Sequence, residues 1–338
     1  MLHLPPVPLQ GDSVASPPSF LQGWPVASIN YRWGTGNDVF INENNASTPL
    51  QWPTPVHDTS FAYAWLVGNL APKGNTRRDM FVYGSYLGAS LAASLALTET
   101  HPHSRFGVRG LAAYNGVYNW TMFLTGHPMY RKDFLKIGKE PRPLAFGSHM
   151  EAFLDDMQGL FPRPSDAFDP FASPSLFFHR PGMHCPNSWD EATVSPFSAM
   201  VSAVVNREES DKTPVVEMKR PRTSYMVYPP RKSTLKIPPT ILLHDRFDRS
   251  TIDRPRKLAW KGPINSIQTQ AEELAGLMQR SISKVELGER VKWDDEIDSW
   301  EASARERVQV EELGEERDDL GLDQGGQERV KEWLETFS

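Results

Sequence analysis

The chain has 338 residues, 39% of them apolar and 23% charged, a soluble globular composition long enough for one large α/β domain or two ordinary ones. A formal net charge of −6 gives no basis for a nucleic-acid or anionic-membrane partner, and the single cysteine, Cys185, excludes an internal disulfide framework and fits a reducing compartment. No stretch approaches the roughly 18 continuous apolar residues of a membrane span, and no signal peptide is visible at the N-terminus, so the chain reads as cytoplasmic.

Two short strand-like runs open the chain, Leu2-His3-Leu4 before Pro5-Pro6 and then Val26 to Tyr31, with a Pro/Ser/Gly-rich connection between them. Residues 57 to 70 place Phe61, Ala62, Trp65, Leu66 and Leu70 at helical spacing, and Lys73-Gly74-Asn75 ends that helix. Met80-Phe81-Val82-Tyr83 is an apolar run too short for a helix and suited to a buried parallel strand. Leu87 to Leu97 is alanine-rich, as a helix packed tightly on a sheet would be, and Gly107 to Tyr114 supplies the next strand. This βαβα alternation predicts a mostly parallel central sheet flanked by helices.

From Trp120 to about Pro230 the pattern dissolves into aromatics, prolines and short helical pieces such as Glu151 to Leu160, which reads as an inserted cap. Order resumes at the strand Thr240 to His244 and the amphipathic helix Gln268 to Ser283. A last strand is expected over Arg307 to Leu313, and Gly325-Gly326 introduces a final helix, Gln327 to Phe337. The expected organisation is a core part over 1–119, a cap over 120–236 and the rest of the core over 237–338. The last segment is acidic: from Glu286 onward there are 18 acidic and 7 basic residues, read as a solvated surface.

The most telling local feature is Gly84-Ser85-Tyr86-Leu87-Gly88. A nucleophile elbow, G-x-S-x-G, sets a reactive hydroxyl between two glycines because the strand-to-helix turn leaves no room for a flanking Cβ. Here the glycines are present and the apex is Tyr86.

Several segments together resemble the α/β-hydrolase fold in its hormone-sensitive-lipase-like esterase branch, as a divergent, fungal-type member. They are the elbow with Ala89-Ser90-Leu91-Ala92, the strand Val26 to Arg32 ending in a Tyr-Arg pair, and Trp52-Pro53-Thr54-Pro55-Val56-His57-Asp58 with Trp65. Phe171-Ala172-Ser173-Pro174 and Pro238 to Asp248 complete the set. The branch has strands before the one that carries its oxyanion loop. This chain begins at that strand, so either the sheet is smaller or the sequence is an N-terminally truncated gene model.

The resemblance implies an esterase, and the residues depart from one. Acyl transfer on this scaffold needs a hydroxyl nucleophile, an imidazole, an orienting carboxylate and two N–H donors for the oxyanion. Asp248 falls at the acid position. Tyr86 occupies the nucleophile position, where a phenol of ordinary pKa about 10 is a poor nucleophile and its ring fills the substrate's place. No histidine follows His244, whose own expected role on its strand is structural. The oxyanion loop corresponds to His3-Leu4-Pro5-Pro6, where Pro5 and Pro6 have no N–H to donate.

Ser85 is an alternative nucleophile but is flanked at two residues by Tyr83 and Leu87. Ser90 is a weaker one, a turn into the helix, where its hydroxyl is expected to bond a backbone carbonyl. His57-Asp58 is expected to cap its helix. His101 and His103, and His179, His184 and Cys185, match no zinc spacing, and no cofactor or metal is expected. The reading is a catalytically inactive pseudoenzyme binding an unidentified protein partner or a small apolar ligand. The alternatives are an unconventional carboxylic-ester hydrolase using Ser85 or Ser90 with Asp248, and an interaction protein whose pocket is closed by Tyr86, Phe153, Phe161 and Phe168.

Overall fold

The computed structural model describes residues 1–8, 15–34, 39–41, 47–130, 147–193, 221–246, 265–288 and 297–337. Six strands form the main sheet: β1 (Leu2–Leu4), β2 (Ala27–Ser28), β3 (Arg78–Ser85), β4 (Phe106–Tyr114), β5 (Thr240–Arg246) and β6 (Val308–Glu315). All are parallel, in the order β6-β5-β4-β3-β1-β2. The interior strands carry buried apolar stretches, such as Leu111–Tyr114 in β4 and Ile241–Leu243 in β5, because both of their faces are covered. The second strand is shorter than Val26 to Tyr31: only Ala27 and Ser28 pair with β1.

Helix α1 (Thr54–Leu70) precedes β3 and α2 (Leu87–Glu99) follows it. Every residue of α2 from Leu87 to Leu97 is buried, which suits its small side chains and its lack of a polar face. From within α2, Ser94 donates its hydroxyl to the Phe171 carbonyl (2.8 Å). Between β4 and β5 lies helix α3 (Ser148–Leu160) with several single helical turns. Helix α4 (Ile267–Ser281), capped by the Ser266 hydroxyl on the Thr269 N–H (3.2 Å), packs along β5 and β6. Helices α5 (Ile297–Arg307) and α6 (Gln324–Glu335) flank β6 in sequence.

Residues alternate between the faces of a strand. Gly84 looks toward α2, whereas Phe81 meets Trp333 of α6 at a ring separation of 6.0 Å on the opposite face. Helices therefore cover both faces of a parallel sheet, and a tight strand-to-helix turn leaves β3 near its centre. This is the α/β-hydrolase architecture. No helix among the described residues is long and apolar enough to cross a membrane.

One sequence expectation about α1, the capping role of Asp58, is corrected, and the structure adds which side of the helix is buried. Its buried side is Pro55, Thr59 and Leu66, while Phe61 (74% exposed), Trp65 and Leu70 face outward. Helical spacing located the stripe but not which way it faces. Asp58 does not cap the helix, which starts at Thr54. Its carboxylate instead takes the Arg32 guanidinium in a two-pronged contact (2.9 and 2.7 Å) and the Arg32 N–H (2.9 Å). A fork of this kind satisfies more donors than one helix end offers Asp58. The expected acidic surface proves partly structural: Glu311 holds Arg329 of α6 bidentately (2.7 and 2.6 Å).

Candidate functional site

The site lies at the carboxyl ends of the strands, where open parallel sheets bind ligands. Tyr86 stands between β3 and α2 with φ 49° and ψ −117°, a conformation that side-chain-bearing residues seldom adopt. The turn is made possible by its neighbours. A Cβ on Gly84 would lie 2.5 Å from the Gly88 carbonyl oxygen, and one on Gly88 would collide with the carbonyls of Leu4 and Pro5. The elbow geometry thus persists without a serine at its apex.

The Tyr86 side chain is fully buried. Its ring meets His149 edge-on at 4.9 Å, Tyr114 at 5.6 Å and Phe153 at 6.4 Å. Its hydroxyl accepts a hydrogen bond from Asn115 Nδ2 (3.1 Å). Burial pushes the phenol up to about 12, so it is neutral at physiological pH and correspondingly weak as a nucleophile. Phe153 belongs to a wider aromatic group with Trp120, Phe161, Trp33 and Trp52, which fills the space over the elbow.

The N–H groups that would serve an oxyanion are arranged as follows. The donor after the apex, Leu87 N–H, points at the Pro6 carbonyl (3.1 Å). Pro5 and Pro6 have no N–H, and the Tyr31 hydroxyl donates to the Pro5 carbonyl (2.8 Å), fixing the loop in this position. A carbonyl oxygen therefore sits where an elbow hydrolase binds its developing oxyanion.

Ser85 ends β3 and is buried. Ser90 donates to the Leu87 carbonyl (2.8 Å). Among the described residues neither hydroxyl is hydrogen-bonded to an imidazole. His244 Nδ1 lies 3.2 Å from the neighbouring Asp245 carbonyl. Asp248 lies outside the described residues.

A different polar group occupies the site, and sequence reasoning missed it. Asn115 follows β4 with φ 49°, a backbone region that asparagine tolerates better than most residues. Its Nδ2 also donates to Asp245 Oδ2 (2.9 Å), its Oδ1 accepts the Asp245 N–H (2.9 Å), and Tyr114 donates its hydroxyl to the same carboxylate (2.7 Å). Burial raises the Asp245 pKa, and these hydrogen bonds partly offset the shift.

On the other side of Tyr86, Glu316 accepts from the Ser148 hydroxyl and the His149 N–H, both at 3.0 Å. A carboxylate from beyond β6 thereby caps the first turn of α3. His149 Nε2 is 2.8 Å from the Arg317 carbonyl and donates to it, so that nitrogen is not offered to Tyr86. Removing the carboxylate with Glu316→Ala is expected to lower the local opening free energy of α3 by about 1–2 kcal/mol. Amide hydrogen exchange over 148–160 would show it, and unchanged protection there would contradict this role for Glu316.

No protein-family profile matches the chain. Over 114 residues, 32% of this chain and 24% of the other, it is 31% identical to esterase LipQ of Mycobacterium tuberculosis. Among solved structures it is similar to an esterase of Pyrobaculum calidifontis, at 13% identity and a TM-score of 0.41, over 94% of this chain and 66% of that one. It is also similar to carboxyl esterase 2 of the mycorrhizal fungus Tuber melanosporum, at 11% identity and a TM-score of 0.38, over 87% and 60%. Each match spans less than two thirds of the other protein's length.

Proposed function

We propose that this chain is a catalytically silent relative of the esterases, of the hormone-sensitive-lipase-like kind, that serves as a binding or interaction scaffold. The observation that carries the proposal is the Leu87 N–H engaged by the Pro6 carbonyl beside a fully buried Tyr86 apex. Nucleophile, oxyanion donors and substrate space are replaced together, and loss of a single oxyanion donor already costs about 2.7–4 kcal/mol of transition-state stabilisation. The aromatic filling around Phe153 and Phe161 favours a closed pocket over a small apolar ligand seated in it, with residues 120–236 as a cap fixed onto the core.

An interaction role is supported by Phe61 and Trp65, large aromatics exposed on one side of α1. The competing reading, hydrolysis by Ser85 or Ser90 with Asp248, needs a hydroxyl activated by an imidazole. Covalent labelling separates the two. A fluorophosphonate is expected to leave the intact mass of the wild-type chain unchanged. An adduct on Ser85 or Ser90, absent from the matching alanine variant, would overturn the proposal.

A further inference from the structure

A concavity lies away from the elbow, between the segment around Tyr225 and the C-terminal end of α4. It encloses about 420 Å³. Its walls include Phe178, Met226, Val227, Leu277 and Val285, and its lining also carries three cations, Arg231, Arg280 and Lys284.

Two features make this a site in search of an anion. First, no carboxylate lies within ion-pairing distance of Arg231, Arg280 or Lys284 among the described residues, although the chain as a whole carries a net charge of −6. Their neighbours show the contrast: Lys236 and Arg307 both pair with Glu286 (3.5 and 2.8 Å). Arg280 is held in place without being neutralised, its guanidinium 3.8 Å from the centre of the Tyr225 ring. Second, the apolar wall is left open to solvent, with Tyr225 60% and Val227 52% exposed. The backbone there is fixed all the same, since Ser224–Tyr225 pairs with His179–Arg180 and the Met226 N–H donates to the Phe178 carbonyl (2.7 Å).

We infer that this groove binds a small amphipathic carboxylate, its hydrocarbon or aryl part against Phe178, Met226, Val227, Leu277 and Val285 and its carboxylate among Arg231, Arg280 and Lys284. The volume is in the range of small-molecule sites, roughly 300–1,000 Å³, and the pattern of apolar walls with a few convergent polar groups is theirs. A guanidinium already stacked on an aromatic ring presents its N–H fork to a carboxylate with little rotamer entropy left to lose. The concave shape favours a small molecule over a flat anionic membrane. The site is independent of the elbow, so its test stands whether or not the chain hydrolyses esters.

The test is isothermal titration of the full-length protein with decanoate, decylamine and decanol, alongside sedimentation with phosphatidylglycerol vesicles. Decanoate is expected to bind saturably with one site, and decylamine and decanol at least tenfold more weakly. Arg280→Glu/Lys284→Glu, both on exposed positions, is expected to weaken decanoate at least tenfold and to strengthen decylamine. Lys73→Glu, an equal kind of charge reversal on an exposed residue outside the groove, is expected to leave decanoate binding unchanged. Circular dichroism of the double variant identical to wild type would show that it remains folded. No saturable decanoate binding, equal binding of decylamine, or decanoate binding indifferent to the double reversal would overturn the inference. So would vesicle binding without decanoate binding, which would reassign the patch to a membrane surface.

Discussion

Tyr86→Ala is expected to lower the unfolding free energy by about 3–5 kcal/mol, the range of a buried aromatic truncated in a site that cannot collapse. The rings of Tyr114, His149 and Phe153 would lose their partner. The surrounding backbone has no freedom to close in. Tyr86 N–H is tied to the Tyr114 carbonyl (2.9 Å), Leu87 N–H to Pro6, and Gly84 and Gly88 are already at closest approach. Tyr86→Phe keeps the ring and loses only the acceptor for Asn115, a change worth about 1 kcal/mol. Urea denaturation of the two variants measures the difference. A Tyr86→Ala variant within about 1 kcal/mol of wild type would show that the ring is not a structural plug.

The second large effect is an acid sensitivity centred on His3. This residue lies in β1, nearly fully buried, stacked on Tyr83 at 5.8 Å with Nδ1 2.8 Å from the Ser28 hydroxyl. Burial lowers its pKa from 6.5 to about 4. The folded state therefore resists a proton that the unfolded chain accepts. Stability is retained above pH 6.5 and is lost as the pH falls toward 4. At about 1.4 kcal/mol per pKa unit, the loss amounts to about 3 kcal/mol. Comparison of His3→Gln with wild type at pH 7 and pH 4 isolates it. The variant should lose about 3 kcal/mol less than wild type over that interval. Equal losses would mean that His3 is protonated in the folded protein.

The parts of this molecule that the sequence reveals are those encoded locally. Met80 to Tyr83 and Thr240 to His244 are short apolar runs because both faces of a parallel strand are buried, and both lie within strands. The elbow is legible for the same reason: its demand for two glycines four residues apart is a spacing, and Gly84 and Gly88 meet it. Ser90 and His244 could also be placed, since their elements set their surroundings.

What escaped the sequence is the long-range pairing. Asn115 and Asp245 are 130 residues apart, and Ser148 and Glu316 are 168 apart. Nothing in either neighbourhood names the other, although two weak signals exist in hindsight. Asn115-Gly116 at the end of an apolar strand marks a left-handed turn, and Asp245 is a charge attached to an apolar run. His149 gave no such signal, because its position against Tyr86 depends on the Glu316 cap of α3. The outward turn of Phe61 and Trp65 was equally hidden, since periodicity gives a stripe and not a partner.

The most direct test of catalytic silence is the rate of p-nitrophenyl acetate hydrolysis by the purified wild-type chain, with Ser85→Ala measured alongside. A rate no higher than the buffer background, and the same for both proteins, is expected. Turnover by the wild type that disappears in Ser85→Ala would contradict it, and would make the serine beside the apex the nucleophile of a working esterase.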